Sequence, residues 1–251
     1  MPNIGKTLTK DGANIKCSAV IQADYTIHDQ KLQVVKEAKY LGVTLDSKLS
    51  FNAHINNIAK KANNTRAFVH RNTKDCPRRV KSTTYNTLVR PQLEYCSAVW
   101  SPHTLNNKQQ LQAVQRRAAR SVMNDWSTRR HTDPPVPKGS TKGSPTAMQQ
   151  FLKWDTLEER RAKSRVIMFY KIVHQLVDIP VYLLIPNLRS TRSHKQMYHV
   201  LAHTVKAYQY SFFPSSILLW NSLPPTLVEA PSVDALKARL SSARLVPNAE
   251  Y

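Results

Sequence analysis

Apolar and polar positions change rhythm near residue 50. Before it, short apolar runs set between polar turns predict strands over Ile15 to Ala23, Tyr25 to Ile27, Leu32 to Val35 and Tyr40 to Leu45. His28-Asp29-Gln30-Lys31 predicts a hairpin turn, and together these runs predict one small antiparallel sheet that needs helices on one face. Gly42, inside the last run, marks a bulge or a place where another backbone or a ligand comes close. Asp46 and Ser47 end the run, and Ser50 or Asn52 has the short polar side chain that caps a helix.

After residue 50 the period is helical. A first helix is predicted from about Asn52 to Asn72, with Ile55, Ile58, Ala62, Phe68 and Val69 at helical spacing. Pro77 suits the first turn of a second helix, in which Val80, Thr84 and Leu88 form an i, i+4 row joined by Tyr85. Pro91 removes one hydrogen bond, so the run to Trp100 is either a kinked continuation or a separate helix. Leu93, Tyr95, Cys96, Val99 and Trp100 make that run the predicted centre of the core. A third helix spans about Leu105 to Met123, with Leu111, Val114, Ala118 and Val122 along one side. Residues 127–145 hold four of the fifteen prolines and two of the five glycines, the composition of a linker. Thr156-x-x-Glu159 is a capping box for a helix reading to about Val177. Ser211 to Asn221 predicts a short helix, and Ser232 caps a last one through about Ser242. The predicted fold is mainly α. A small N-terminal antiparallel sheet (1–50) precedes a helical region (51–126), a linker (127–146) and a C-terminal helical region (147–251).

Charge narrows the function. The chain has 37 Lys and Arg against 16 Asp and Glu, a net charge of +21 and a pI near 10.1. That excess points to a polyanionic partner, nucleic acid before an anionic membrane surface. Three widely spaced cysteines (Cys17, Cys76, Cys96) form no disulfide framework, and no run approaches the length of a membrane span. With no apolar run at the start, the expectation is an intracellular protein, nuclear or cytoplasmic.

Several stretches then resemble, in order, the C-terminal third of the reverse transcriptases of jockey-type non-LTR retrotransposons. They are Lys39-Tyr-Leu-Gly-Val-Thr-Leu-Asp46 with Phe51-x-x-His54-Ile55, Leu88-Val-Arg-Pro-Gln-Leu-Glu-Tyr95 with Val99-Trp100, and Gln115-Arg-Arg-Ala-Ala-Arg120. Trp154-Asp-Thr-Leu-Glu-Glu-Arg-Arg161 follows, then Ser211-Phe-Phe-Pro214 with Leu219-Trp-Asn-Ser-Leu-Pro224. The resemblance covers about residues 25 to 242. It implies that the sheet is a palm remnant and that Lys39 to Leu45 is the strand pair gripping the primer. Tyr40, Leu41 and Gly42 would then lie at the primer's backbone, with the helices from Asn52 onward as the thumb along the template–primer duplex. Lys60, Lys61, Arg66, Arg71, Arg78, Arg79 and Lys81 on the first two helices, and Arg116, Arg117 and Arg120 on the third, are the candidate phosphate contacts. Arg160 and Arg161 rank lower, because they can pair with Glu158 and Glu159 on their own helix.

Nucleotidyl transfer needs two metals held by converging carboxylates. The family carries two adjacent aspartates on a strand–turn, and this chain has no adjacent pair: Asp11, Asp24, Asp29 and Asp46 stand alone. The expectation is a truncated reverse transcriptase that retains at most nonspecific nucleic-acid binding and is no enzyme by itself, with no catalytic residues, metal or cofactor. Gly139 to Ser144 lacks the spacing of a phosphate loop, and His194, His199 and His203 lack the partners of a zinc site. Two rival readings remain. One is a docking module using Trp100, Trp154, Phe212, Phe213 and Trp220, with a palm domain supplied in trans as its partner. The other is a decayed product without a selected role.

Overall fold

The computed structural model describes residues 25–124, 145–179, 184–187, 194, 196–201, 205–243 and 245. The predicted strand over Ile15 to Ala23, most of the linker, the Gly139 to Ser144 stretch and His203 lie outside these residues. The chain divides into two units, residues 1–36 and 37–251.

In the first unit, β1 (Thr26–Ile27) pairs antiparallel with β2 (Gln30–Lys31). Its turn is His28-Asp29, both at positive φ, as a two-residue turn of matching twist requires. Residues 32–35 form no strand.

The second unit is mainly helical. It opens on a second hairpin, β3 (Glu37–Tyr40) and β4 (Val43–Asp46). The predicted single strand over Tyr40 to Leu45 is therefore two strands. Leu41 (φ 45°) and Gly42 (φ 85°) make the turn between them, so Gly42 is a turn glycine and not a bulge. One four-stranded sheet was expected, and the described strands form two separate pairs instead.

Helix α1 (Asn52–Asn72) has the predicted bounds, but neither Ser50 nor Asn52 is its cap residue; Phe51 holds that position in a left-handed conformation. The Asp46 carboxylate organises the entry. It accepts from the backbone N–H of Lys48 (2.9 Å), Ser50 (3.1 Å) and Phe51 (3.0 Å) and from the Ser50 hydroxyl (2.8 Å). Burial raises its pKa, and the bonds from Ser50, Lys48 and Phe51 outweigh that, holding it below the usual carboxylate value.

Pro77 precedes α2 (Arg78–Thr84), which runs into a wide π turn (Tyr85–Val89) and then α3 (Arg90–Glu94). Pro91 sits in the first turn after the widening, where the Arg90 N–H reaches back to the Tyr85 carbonyl. Val80 and Leu88 are exposed; the buried row is Lys81, Tyr85, Val89 and Leu93. Four such steps of four drift about 40° each around an ideal α-helix. The wide turn absorbs part of that drift and keeps the row facing inward. A break at Tyr95-Cys96 precedes the short α4 (Ser97–Trp100), in which Trp100 is buried while Val99, like Tyr95, is exposed.

Helix α5 (Leu105–Met123) buries the predicted Leu111, Val114, Ala118 and Val122. α6 spans Pro145–Phe151. α7 (Leu157–Val173) carries the capping box, Thr156 and Glu159 each bonding the other's backbone N–H. It stops four residues before the predicted Val177. Next come α8 (Lys206–Gln209), α9 (Phe212–Asn221), α10 (Pro225–Val228) and α11 (Val233–Ser242), the last capped by Ser232.

Two cores result. Val43, Ile55, Leu93, Trp100, Leu111 and Leu157 belong to one. Val166, Phe169, Trp220, Leu223, Leu236 and Leu240 belong to the other. Helix α7 serves both, with Leu157 in the first and Ala162 onward in the second.

Candidate nucleic-acid interface

The hairpin β3–β4 is tied to the helices at three places. Val43 enters the first core beside Ile55. The Thr44 N–H donates to Nδ1 of His54 over 3.3 Å, which leaves the proton of the neutral ring on Nε2. His54 is buried edge-on against Trp100, and burial lowers its pKa. At the tip, the Tyr95 hydroxyl donates to the Leu41 carbonyl over 3.1 Å. A Cβ on Gly42 would meet the Tyr95 ring at 3.4 Å. Tyr40, Leu41 and Gly42 are all exposed on this anchored tip.

Helices α1 and α5 run parallel, as their cross-links show. Asn107 Nδ2 donates to Asn52 Oδ1 (2.7 Å), Gln110 Nε2 to Asn56 Oδ1 (2.9 Å) and Arg117 Nη1 to Asn63 Oδ1 (3.2 Å). This amide ladder ends in cations. Arg66 is half-buried; burial and then the charge of Arg117 push its pKa down. His70 is pushed down by burial and by Arg66, Lys81 and Lys74. The field at this end of the two helices is strongly positive.

On its other flank α1 packs antiparallel to α3, and one surface cross-link, Gln92 Nε2 to the Thr65 hydroxyl (3.0 Å), marks the seam. Phe68 and Leu88 lie one turn from that link on the two helices, in the same direction.

Of the predicted contacts, Lys60, Lys61, Arg71, Arg78, Arg79, Arg116 and Arg117 are exposed, while Arg66 and Arg120 are half-buried. The Arg78 guanidinium lies over the Phe151 ring at 5.2 Å. Lys81 is a correction. It is only 4% exposed, and its ammonium donates to the Lys74 carbonyl (2.6 Å) and to Asn124 Oδ1 (2.8 Å). Those oxygens let a charge enter the interior, where it pins the α1–α2 loop to the end of α5 and is out of reach of a phosphate. From 47 to 124 the chain holds fourteen Lys and Arg against two acids, Asp75 and Glu94.

Arg160 and Arg161 also depart from the expectation. Arg160 forms a two-pronged pair with Glu94 of α3, its Nη2 at 2.9 Å from Oε2. Glu158 pairs with Lys108 at 2.8 Å. Arg161 is buried, and desolvation pushes its pKa down to about 10. The cleft of about 320 Å³ beside Arg160 is lined by Glu94, Ser97, Asp155 and Lys163, whose charges are already matched.

Trp100 and Trp220 are fully buried and Trp154 stacks on Tyr85 at 4.4 Å, so these tryptophans are core residues and not a docking surface. Phe212 and Phe213 pack against the second core. His194 is buried with Nε2 at 3.0 Å from the Trp220 carbonyl. Among the described residues, no group of three His, Cys, Asp or Glu is placed to hold a metal, and no helix is long and apolar enough to cross a membrane.

Sequence reasoning missed Tyr95 as the anchor of the tip, the Asn–Gln ladder, and the exposed pair Phe68 and Leu88. The run of asparagines in α1 was the available signal, since Asn is a poor former of helix interiors. Comparison with protein-family models, curated proteins and solved structures gave no match.

Proposed function

We propose that residues 37–251 form the primer-holding hairpin, thumb and C-terminal helical region of a jockey-type non-LTR retrotransposon reverse transcriptase. In this reading they bind nucleic acid through its phosphates without strong sequence preference. The observation that carries the reading is the exposed cation field of α1, α2 and α5, set in a stretch with only two acids. Lys and Arg on helix surfaces contact phosphates and read no bases. The exposed hairpin tip, anchored by Tyr95 next to that field, supports the assignment of Tyr40, Leu41 and Gly42 to the nucleic-acid backbone.

A filter-binding titration against salt tests this. The logarithm of affinity for duplex DNA falls with log salt by about 0.9 per phosphate neutralised. Changing Lys60, Lys61 and Arg71 to Gln together reduces that slope by about 3. A salt-independent affinity, or none, overturns the reading. With no adjacent aspartate pair in the chain, the purified protein extends no primer, and extension by the protein alone would overturn that part.

A further inference from the structure

We propose that the seam between α1 and α3 is a stacking platform for the unpaired bases of single-stranded nucleic acid, with its phosphates on Lys60, Lys61 and Arg71. The proposal rests on the nucleic-acid reading above and specifies the strand state that this face takes.

A row of apolar side chains stands proud along the seam: Leu41 (72% exposed) at the hairpin tip, Tyr95 (57%) beneath it, then Phe68 (58%) and Leu88 (49%). The Thr65–Gln92 link fixes their order. Tyr95 lies three residues beyond Gln92, whereas Phe68 and Leu88 lie one turn to the other side. Lys61 lies one turn before Thr65, and Arg71 three residues beyond Phe68.

The polar groups between them are used locally. Gln92 Nε2 also donates to the Leu88 carbonyl, Asn72 Nδ2 to the Phe68 carbonyl, and the hydroxyls of Thr84 and Thr87 to carbonyls of their own helix. The face therefore offers apolar and aromatic surface flanked by cations, with few donors left to read base edges. That combination suits stacking on any base. A duplex hides its base faces, so it would set phosphates against this row and desolvate it for nothing. A second copy would bring Lys60, Lys61 and Arg71 against their own kind, since α1 and α2 contain no carboxylate. Side chains this exposed also do not line the groove that an acidic amphipathic helix needs.

The test measures binding of the whole chain to oligo(dT) and to a matched duplex at several salt concentrations. The variants are Phe68→Ser with Leu88→Ser, Phe68→Trp, and Leu176→Ser as an exposed apolar control. The double variant weakens oligo(dT) binding by roughly tenfold or more, while its salt slope, duplex affinity and thermal midpoint stay with those of the control. Phe68→Trp keeps the affinity, and its fluorescence is quenched by oligo(dT). Equal loss on both ligands, no loss, or displacement of oligo(dT) by polyglutamate of equal charge overturns the platform while leaving salt-dependent duplex binding in place. So does a dimer in sedimentation that the double variant abolishes. Failure of both ligands to bind the wild-type chain overturns the nucleic-acid reading itself.

Discussion

The Tyr95 hydroxyl and the Leu41 carbonyl, 54 positions apart in sequence, meet at 3.1 Å and fasten a hairpin turn to the end of a helix. The turn needs fastening because Leu41 is a bulky residue at φ 45°, a conformation that leucine rarely adopts.

Tyr95→Phe removes this bond and keeps the ring against Gly42. Hydrogen exchange of the amides of residues 37–46 accelerates several-fold, while α5 amides keep wild-type rates. Unchanged exchange in the hairpin would show that the other two ties suffice.

Gly42→Ala places a Cβ at φ 85° and costs about 1–2 kcal/mol from the backbone alone. Urea unfolding measures it. The contact distance of 3.4 Å to Tyr95 adds little, so the loss tracks backbone strain and not crowding.

Lys81→Met leaves the Lys74 carbonyl and the Asn124 side chain without their donor, at a cost of about 2–3 kcal/mol. The salt slope of DNA binding does not change, because this ammonium touches no phosphate. A variant of full stability with a shallower slope would return Lys81 to the surface set.

Stability falls as pH drops below about 6.5, because burial keeps the folded-state pKa of His54 under its unfolded value. The neutral ring accepts the Thr44 N–H, and its protonation removes that acceptor. Above 6.5 both states are neutral and the stabilisation is complete. His70 and His103 are shifted the same way, so His54→Asn, whose Oδ1 can replace the acceptor, flattens the acid limb in part. Chemical denaturation at a series of pH values reads this directly.

Glu94 and Arg160 join α3 to α7 through two parallel bonds. A double-mutant cycle with Glu94→Gln and Arg160→Gln gives a coupling of about 1 kcal/mol, since both side chains keep some contact with water.

Local signals in the chain carried the helices. Periodicity placed α1 and α5 to the residue, and the Thr156–Glu159 box and Ser232 placed the starts of α7 and α11. What failed depended on distant partners or on disfavoured backbone. Leu41 stands where such turns usually carry Asn or Asp, so the hairpin read as one strand. Gln175 turns left-handed just beyond α7 (φ 54°) with no glycine or proline to announce it, so the helix was read too long. A lysine reads as surface unless oxygens 7 and 43 positions away are known to receive it, as they do at Lys81. For the interface, sequence supplied the cations but not the seams that arrange them.

The widened turn at Tyr85–Val89 makes the length of this stretch as important as its composition. Deleting one residue there would restore ordinary winding and rotate everything downstream by about 100°. Leu93 would swing away from Ile55, Glu94 would lose Arg160, and Tyr95 would no longer lie under Leu41. A single missing codon in that turn would thus uncouple the hairpin, the core and the second helical layer at one stroke, although every side chain that makes those contacts was still encoded.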